Sequence, residues 1–197
     1  MPVIRLAREA DAAQMLEIYA PIVRETAISF ELEPPTPPEM RARIRDFLEH
    51  GAWLVCEYDG RIAGYAYAKR FWPRAAYQWS VEVTVYVHPE SHRQGIGRAL
   101  YTSLFALLKL QGYQKALAII ALPNPASIAL HQQFGFVSVG VFHSVGHKFG
   151  RWHDVSWWEL PLGTFPGDPE PPLPVETLVE TTAYQAALKK GEQLLVK

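Results

Sequence analysis

The chain has 197 residues, of which 49% are hydrophobic, and this suffices for one full-sized core. Its 19 basic and 20 acidic residues give a net charge of −1 with no basic stripe, which argues against a nucleic-acid partner. No apolar run reaches the roughly 18 to 20 residues of a membrane span, and the N-terminus lacks a signal-peptide pattern, so we expect a cytoplasmic protein without membrane contact.

The first part of the chain is predicted to hold a strand, two helices and a hairpin. A short strand precedes a helix that opens at Glu9–Ala13, with Asp11 as the expected cap. Thr36-Pro37-Pro38-Glu39 indicates the start of a second helix, because it offers a capping side chain, an early proline and an acid that reaches back. Asp59-Gly60 between two apolar runs indicates a hairpin with a primed turn.

The middle of the chain alternates between strand and helix patterns. The predicted elements are strands over 80–87, 115–122, 136–149 and 153–160 and helices over 95–111 and 126–134. The strand over 115–122 is apolar throughout, so we expect it to be covered on both faces. This order of elements predicts a mixed α/β fold.

The composition changes after residue 162. Residues 1–162 are predicted to form one domain, and 163–197 to form a Pro-rich strap followed by a C-terminal helix. The helix is expected to pack on the domain or on a partner subunit, and a frayed tail is the alternative.

A turn with two glycines follows the predicted strand over 80–87. Its sequence is His92-Arg93-Gln94-Gly95-Ile96-Gly97-Arg98. Helix N-termini present unpaired N–H groups and partial positive charge, and glycine lets a ligand approach the backbone, so the turn is a candidate diphosphate site. The alternative is that the glycines only pack or cap. The chain has no Gly-Lys-Ser/Thr triplet, and the position of the turn in mid-chain argues against a dinucleotide site.

These residues resemble the acyl-CoA loop of the GNAT superfamily of N-acetyltransferases, although His92 stands where Gln or Arg is usual. The run 124–136, which ends in Gly-Phe, is similar to a later helix of that superfamily. The stretches 29–37, 74–79 and 150–155 resemble the phosphinothricin N-acetyltransferases.

This resemblance implies a mostly antiparallel sheet whose central strands splay apart, with flanking helices. It implies acetyl-CoA as cosubstrate, no metal, direct transfer to a small amino-acid-like amine of the phosphinothricin or methionine sulfoximine type, and a homodimer. The implied cofactor contacts are Val85, Tyr86, Val87, Arg93, Gln94, Gly95, Ile96, Gly97, Arg98, Asn124 and Ser127. Capping of the helix over 126–134 is the alternative role of Asn124 and Ser127.

Three residues are candidates for the chemistry. Glu82 lies among apolar strand residues and matches the glutamate of the family that removes the proton of the ammonium group; a salt-bridged surface acid is the alternative. The backbone N–H of Val85 is the candidate oxyanion donor, freed by a bulge in this strand that the family resemblance implies. His131 stands where many superfamily members carry a tyrosine that protonates the leaving thiolate, and it either donates a proton or only packs.

The acceptor side is predicted around Arg74, whose guanidinium can bind a carboxylate through two parallel bonds. Tyr77 and Phe30 are expected walls of the pocket and Glu82 its reactive end, while packing in a core or a dimer interface is the alternative for the aromatic rings. The histidines at 143, 147 and 153 do not match a zinc-site pattern. The rival functions are acetylation of peptide or protein N-termini and a non-catalytic acyl-CoA-binding module.

Overall fold

The computed structural model describes residues 1–49 and 51–195. In chain order its strands are β1 (Val3–Leu6), β2 (Trp53–Tyr58), β3 (Arg61–Arg70), β4 (Ser80–Val87), β5 (Lys115–Ala121), β6 (Val137–Lys148) and β7 (Arg151–Pro161). The helices are α1 (Ala12–Glu25), α2 (Pro37–Leu48), α3 (Ile96–Gln111), α4 (Pro125–Gln133) and α5 (Thr182–Glu192). No helix within the described ranges combines the length and the apolar character that crossing a membrane requires.

The strands form one sheet in the order β1-β2-β3-β4-β5-β7-β6, and all neighbours are antiparallel except β4 and β5. The parallel pairing of β4 with β5 covers only the start of both strands, from Ser80↔Lys115 to Glu82↔Leu117. Beyond this point β4 continues to Val87 and β5 to Ala121 without pairing with each other. The predicted mixed α/β fold with splayed central strands is thus confirmed.

Helices cover the two faces of the sheet unequally. Leu100, Leu104 and Leu107 of α3 are fully buried against the small side chains on one face. On the other face α1 and α2 pack mainly on β2, β3 and β4. The prediction that β5 is covered on both faces is therefore wrong, because Ile119 is 38% exposed on the face that α1 and α2 leave open.

Of three local features predicted from the sequence, the structure confirms the capping box of α2 and the hairpin turn but not the cap of α1. Thr36 Oγ1 accepts a hydrogen bond from Glu39 N, and Glu39 Oε2 accepts one from Thr36 N at 2.7 Å, so the predicted capping box of α2 is confirmed. Asp59 and Gly60 have φ values of 49° and 78°, which is the primed turn expected of the hairpin. Asp11 does not cap α1, because its carboxylate accepts hydrogen bonds from the Arg5 guanidinium.

The C-terminal segment packs on the rest of the chain. In place of the single predicted C-terminal helix, the segment contains a 3-10 turn, Val175–Leu178, followed by α5. Val175, Tyr184 and Leu188 are buried in the same core as α3. The proposed boundary after residue 162 stays a prediction.

Candidate active site

The gap between β4 and β5 exposes the backbone of β4. Phe71 N donates to Ser80 O and His88 N donates to Ala63 O, so even-numbered residues of β4 turn their main-chain groups toward β3. Odd-numbered residues therefore turn theirs toward β5. Because β5 leaves the ladder after Leu117, the N–H and C=O groups of Val85 point into the gap, as do those of Val87.

A bulge is not what frees these groups. The register between β3 and β4 runs without a shift from Gly64↔Val87 to Arg70↔Val81. The expected bulge in β4 is therefore wrong, and the divergence of β5 produces the same free backbone groups by another route.

The glycine turn has the backbone of an anion site. Arg93 and Gly95 both have left-handed backbone angles, with φ of 62° and 82°. When left-handed residues alternate with other backbone conformations in a turn, successive N–H groups point toward one position, where an anion can bind. The first helical bond of α3 runs from Ala99 N to Gly95 O at 2.9 Å, so the N–H groups of Ile96, Gly97 and Arg98 precede it and stay open to a ligand.

Side chains hold this turn in shape. His92 Nε2 lies 3.1 Å from Val87 O, and Gln94 Nε2 donates to Glu90 O at 3.0 Å. Arg93 and Arg98 are exposed beside the turn and contribute positive charge. His92, which departs from the family pattern, ties the end of β4 to the turn.

α4 begins at a second edge of the gap. Asn124 Oδ1 accepts a hydrogen bond from Ser127 N at 3.2 Å, so Asn124 caps α4. Ser127 lies one turn before His131 and contacts it. Capping by Asn124 leaves its side-chain N–H₂ group free for a ligand.

His131 is buried between α3 and α4. Its Nδ1 lies 2.8 Å from Ser127 O and its Nε2 lies 3.1 Å from the Tyr101 hydroxyl. Burial lowers the pKa of His131, and the bond to Ser127 O opposes this only in part. A neutral ring therefore donates Nδ1–H to Ser127 O and accepts the Tyr101 proton at Nε2. Tyr101 was not predicted as the partner of His131.

Glu82 lies where the gap begins. It belongs to the last residue pair that joins β4 to β5. Its side chain lies on the α1 and α2 face, opposite the face of Val83 and Val85, and only 16% of it is exposed. Lys69 Nζ, from the paired position on β3, lies 3.1 Å from Glu82 Oε1. The pairing of Lys69 with Glu82 was not predicted, because the irregular link over 71–79 makes the register between β3 and β4 impossible to derive from the sequence.

The loop after α1 forms one side of the open face. The Phe30 ring packs on Gly146, where it leaves no room for a Cβ, and its centroid is 5.9 Å from that of His153. The buried Lys148 Nζ donates to Val23 O at 2.6 Å and to Ser29 O at 2.7 Å. Burial lowers the pKa of Lys148, and the charge of Glu31 opposes this. Lys148 belongs to the last strand pair, which the family resemblance places near the acceptor, and it fixes the backbone next to Phe30.

The link between β3 and β4 forms the other side. Arg74 is exposed and directly precedes a 3-10 turn, Ala75–Tyr77. The Tyr77 ring meets Trp72 edge-on at 4.9 Å, and the neighbouring Phe71 ring meets Trp157 of β7 at 6.0 Å. His153 and Trp157 lie on one face of β7, four residues or about 13 Å apart. The predicted acceptor residues therefore occupy the two ends of one open, aromatic face.

Metal ligands are not assembled in the part of the chain that the structure describes, since no group of three or more His, Cys, Asp or Glu side chains converges there. His143 Nδ1 instead lies 2.8 Å from Asp154 Oδ2. Bonds from Ser144 N and then from His143 lower the pKa of Asp154.

Known proteins with this arrangement are acetyltransferases. The family described as acetyltransferase (GNAT) domain matches residues 4–157. A phosphinothricin N-acetyltransferase of Streptomyces viridochromogenes is 38% identical over 172 residues, which are 87% of this chain and 93% of that protein. A phosphinothricin acetyltransferase from Sinorhizobium meliloti, solved in complex with acetyl-CoA, superposes with a TM-score of 0.82 at 33% identity and covers 93% of this chain and 98% of its own.

A ribosomal-protein-alanine N-acetyltransferase from Brucella melitensis superposes with a TM-score of 0.78 at 32% identity, over 81% of this chain and 99% of its own. The acceptor class thus differs among similar structures, while the acetyltransferase domain is common to them. With its divergent central strands, its glycine turn at the start of α3 and these matches, the chain belongs to the GNAT family of acetyltransferases and is similar to the phosphinothricin N-acetyltransferases.

Proposed function

We propose that this protein transfers the acetyl group of acetyl-CoA to the primary amine of a small amino-acid-like acceptor, of the phosphinothricin or methionine sulfoximine type. The observation that carries the proposal is the gap between β4 and β5, which places the open N–H and C=O groups of Val85 and the N–H group of Val87 next to the open N–H groups of the glycine turn. The similarity to phosphinothricin N-acetyltransferases supports the acceptor class.

The cofactor is assigned to the gap. The diphosphate would bind Arg93, Gln94, Gly95, Ile96, Gly97 and Arg98 through their N–H groups and flanking charges. The pantetheine amides would pair with the backbone of β4 from Val85 to Val87 and with Asn124 and Ser127. Acetyl-CoA supplies the activated acetyl group, and the protein supplies position and charge.

Glu82 is the proposed base. It would remove a proton from the acceptor ammonium, directly or through water, and the free amine would attack the thioester carbonyl. The carbonyl oxygen gains negative charge as the C–N bond forms, and the N–H of Val85 would stabilise it. When the C–S bond breaks and the CoA thiolate leaves, the acetylated nitrogen gives up its second proton, the thiolate takes up a proton, and the neutral amide and CoA are released. His131 has two candidate roles, as donor of that proton or as the link that fixes α4 on α3, and its occupied ring nitrogens support the link.

Transfer is direct in this proposal. Cys56, the single cysteine of the chain, is buried in β2, and burial raises the pKa of its thiol to about 12. A thiol in this state is a poor nucleophile and does not form a covalent acetyl-enzyme. It also fits the reducing cytoplasm proposed for the protein.

The acceptor is assigned to the open aromatic face. Arg74 would bind its carboxylate, and Tyr77 and Phe30 would form walls on either side of Glu82. The exposed position of Arg74 lets the clamp close on a small ligand without displacing an existing ion pair of the described residues.

A homodimer is the proposed assembly. β6 is the last strand of the sheet, and its apolar side chains Val137, Val139, Val141, Phe142 and Val145 are between 40% and 62% exposed. A long edge strand with exposed apolar side chains is typical of a surface that another protein chain covers. A second copy would cover it, and Val139→Lys would then lower the mass measured by analytical ultracentrifugation from that of a dimer to that of a monomer.

Thiol release measures the function directly. Purified protein is incubated with acetyl-CoA and, separately, phosphinothricin, methionine sulfoximine, each natural amino acid, and peptides that begin with alanine. We expect release with one or more of the small amines and none with the peptides. Release with peptides alone would replace the proposed acceptor class, and saturable acetyl-CoA binding without release with any amine would identify a binding module.

A further inference from the structure

The C-terminal segment, residues 163–195, follows α3 from one end to the other. At the C-terminal end of α3, Leu173 N donates to Gln111 O at 2.7 Å and Gln111 Nε2 donates to Leu173 O at 2.9 Å. The chain then reverses, and α5 runs back antiparallel to α3 toward the glycine turn. This segment lies beyond the GNAT domain match, which ends at residue 157.

Near Gly191 the backbone of α5 approaches α3 closely. Gly191 is buried, and Ala99 O and Ser103 Oγ occupy the space that a Cβ would need. The buried Ser103 hydroxyl donates to Leu188 O at 2.8 Å and accepts from Gly191 N at 3.2 Å. Two helices this close, with a shared hydrogen-bonding group, have little freedom to slide.

The end of the segment reaches the glycine turn. Leu195 packs on the main core, and a Cβ added to Gly95 would lie 4.0 Å from Leu195 Cδ2. Leu195 N donates to Glu192 O at 2.9 Å, and Glu192 Oε1 accepts a hydrogen bond from Ile4 N at 2.9 Å. Residues 192–195 are therefore held both by their own turn and by β1, and the Leu195 side chain lies beside the left-handed Gly95.

We propose that the C-terminal segment is a brace that holds the glycine turn in its anion-binding shape and so sets the affinity for the diphosphate of acetyl-CoA. The turn is exposed, and two of its residues adopt left-handed backbone, so it has other conformations to sample when nothing packs beside it. A turn that is already ordered loses less entropy when the ligand binds. The proposal rests on the assignment of the diphosphate to this turn.

The test compares two thioesters. Acetyl-CoA carries the diphosphate, and S-acetylpantetheine carries the same thioester without it. Leu195→Ala removes the side chain that lies beside Gly95, and Gly191→Val forces α5 away from α3. Gln193→Ala, which shortens an exposed side chain at the same chain end, is the matched control. We expect each brace variant to raise the KM for acetyl-CoA by about three- to tenfold while the KM for S-acetylpantetheine and kcat stay unchanged.

An equal rise in KM for both thioesters, or no change with acetyl-CoA, would overturn the brace. If Gly191→Val does not fold, Leu195→Ala decides the question, since it truncates a single side chain near the chain end. The same comparison can be made by calorimetry with coenzyme A and pantetheine. Loss of affinity for coenzyme A alone supports the brace even if no amine is acetylated, so failure of the brace and failure of the proposed function remain distinguishable.

Discussion

The proposed cofactor side and the proposed acceptor side of the site differ in the groups that form them, backbone on one side and side chains on the other. The proposed cofactor side consists mainly of backbone groups from one continuous stretch, the end of β4, the glycine turn and the start of α3, and α4 adds Asn124 and Ser127. The acceptor side consists of side chains from the loop after α1, the link before β4, and the β6–β7 pair, which are far apart in sequence.

This difference has a physical consequence. Backbone N–H groups are present in every sequence that can form the turn, so the proposed diphosphate recognition should tolerate side-chain changes such as His92. Recognition of the acceptor depends on the identity of each side chain and on how distant segments are held together. Substitutions should therefore separate the two sides cleanly.

Glu82→Gln should give the largest effect. It removes the proposed base while it keeps the shape of the side chain, so kcat should fall by about 10²- to 10⁴-fold. The Kd for acetyl-CoA should stay unchanged, because Glu82 lies on the opposite face of β4 from Val85. Glu159→Gln is the control, since Glu159 makes a similar cross-strand pair with Lys115 at 2.7 Å. Unchanged turnover in steady-state assays of Glu82→Gln would require another base.

Arg74→Ala should act on the acceptor side alone. Loss of a bidentate carboxylate clamp should raise the KM for the acceptor by about 10- to 100-fold, the equivalent of 1.5 to 3 kcal/mol. The KM for acetyl-CoA should not change. Arg61→Ala removes an equally exposed guanidinium from the far hairpin turn and should leave both constants as they are. A shift in the acetyl-CoA constant would contradict the division into two sides.

Gly95→Ala and Gly97→Ala should distinguish two ways of weakening acetyl-CoA binding, strain in the backbone of the turn and steric contact of a new Cβ with the bound ligand. Gly95 has φ of 82°, so alanine should distort the turn and weaken acetyl-CoA binding about tenfold. At Gly97 a Cβ would lie 3.4 Å from Leu130 Cδ2, an ordinary contact, so the free protein should keep its melting temperature. A loss of acetyl-CoA affinity in Gly97→Ala would then report close approach of the ligand to the backbone, and full affinity would argue against it. Isothermal titration and thermal unfolding measure both quantities.

His131→Gln should give the smallest effect, a change in acid sensitivity. Burial keeps the His131 pKa in the folded state below the ordinary value of 6.5, so the unfolded chain binds this proton more readily. Stability contributed by the neutral ring is present above that value and is lost as the pH falls below it. Between pH 7.5 and 5.5 the melting temperature of the unsubstituted protein should therefore fall more than that of His131→Gln.

His147→Gln, at an exposed position, should match the unsubstituted protein. Equal acid sensitivity in His131→Gln would mean that the ring is not held neutral. Steady-state turnover of His131→Gln also distinguishes the two candidate roles of His131, proton donor or link between α4 and α3. A donor role predicts loss of kcat of about 10²-fold or more, whereas a linking role predicts turnover in proportion to the folded fraction.

The cofactor side could be predicted because its signals are local. The β-branched run that ends at Pro89, the two glycines and the absence of a side-chain cap on α3 all lie within one stretch. The capping box of α2 and the primed turn at Asp59-Gly60 were predictable for the same reason. Asp11 was misread because a carboxylate near a helix start can also bind a nearby cation, here Arg5 on the preceding strand.

The pairing of distant segments was not predictable. Lys69 meets Glu82, and Tyr101 meets His131, only because β3 lies beside β4 and α4 lies beside α3. Lys148 fixes Ser29 across more than a hundred residues of chain. No local pattern encodes such partners, because their positions depend on strand register and helix packing.

By itself, the sequence determined the order of elements, the glycine turn and the resemblance to acetyltransferases, since hydrophobic period, turn residues and short motifs act over a few neighbouring residues. The tertiary structure alone decided that β5 leaves β4 after Leu117, that one face of β5 stays open, and that α5 returns along α3 to Gly95. These features arise from contacts between segments distant in sequence, and only packing of the whole chain selects them.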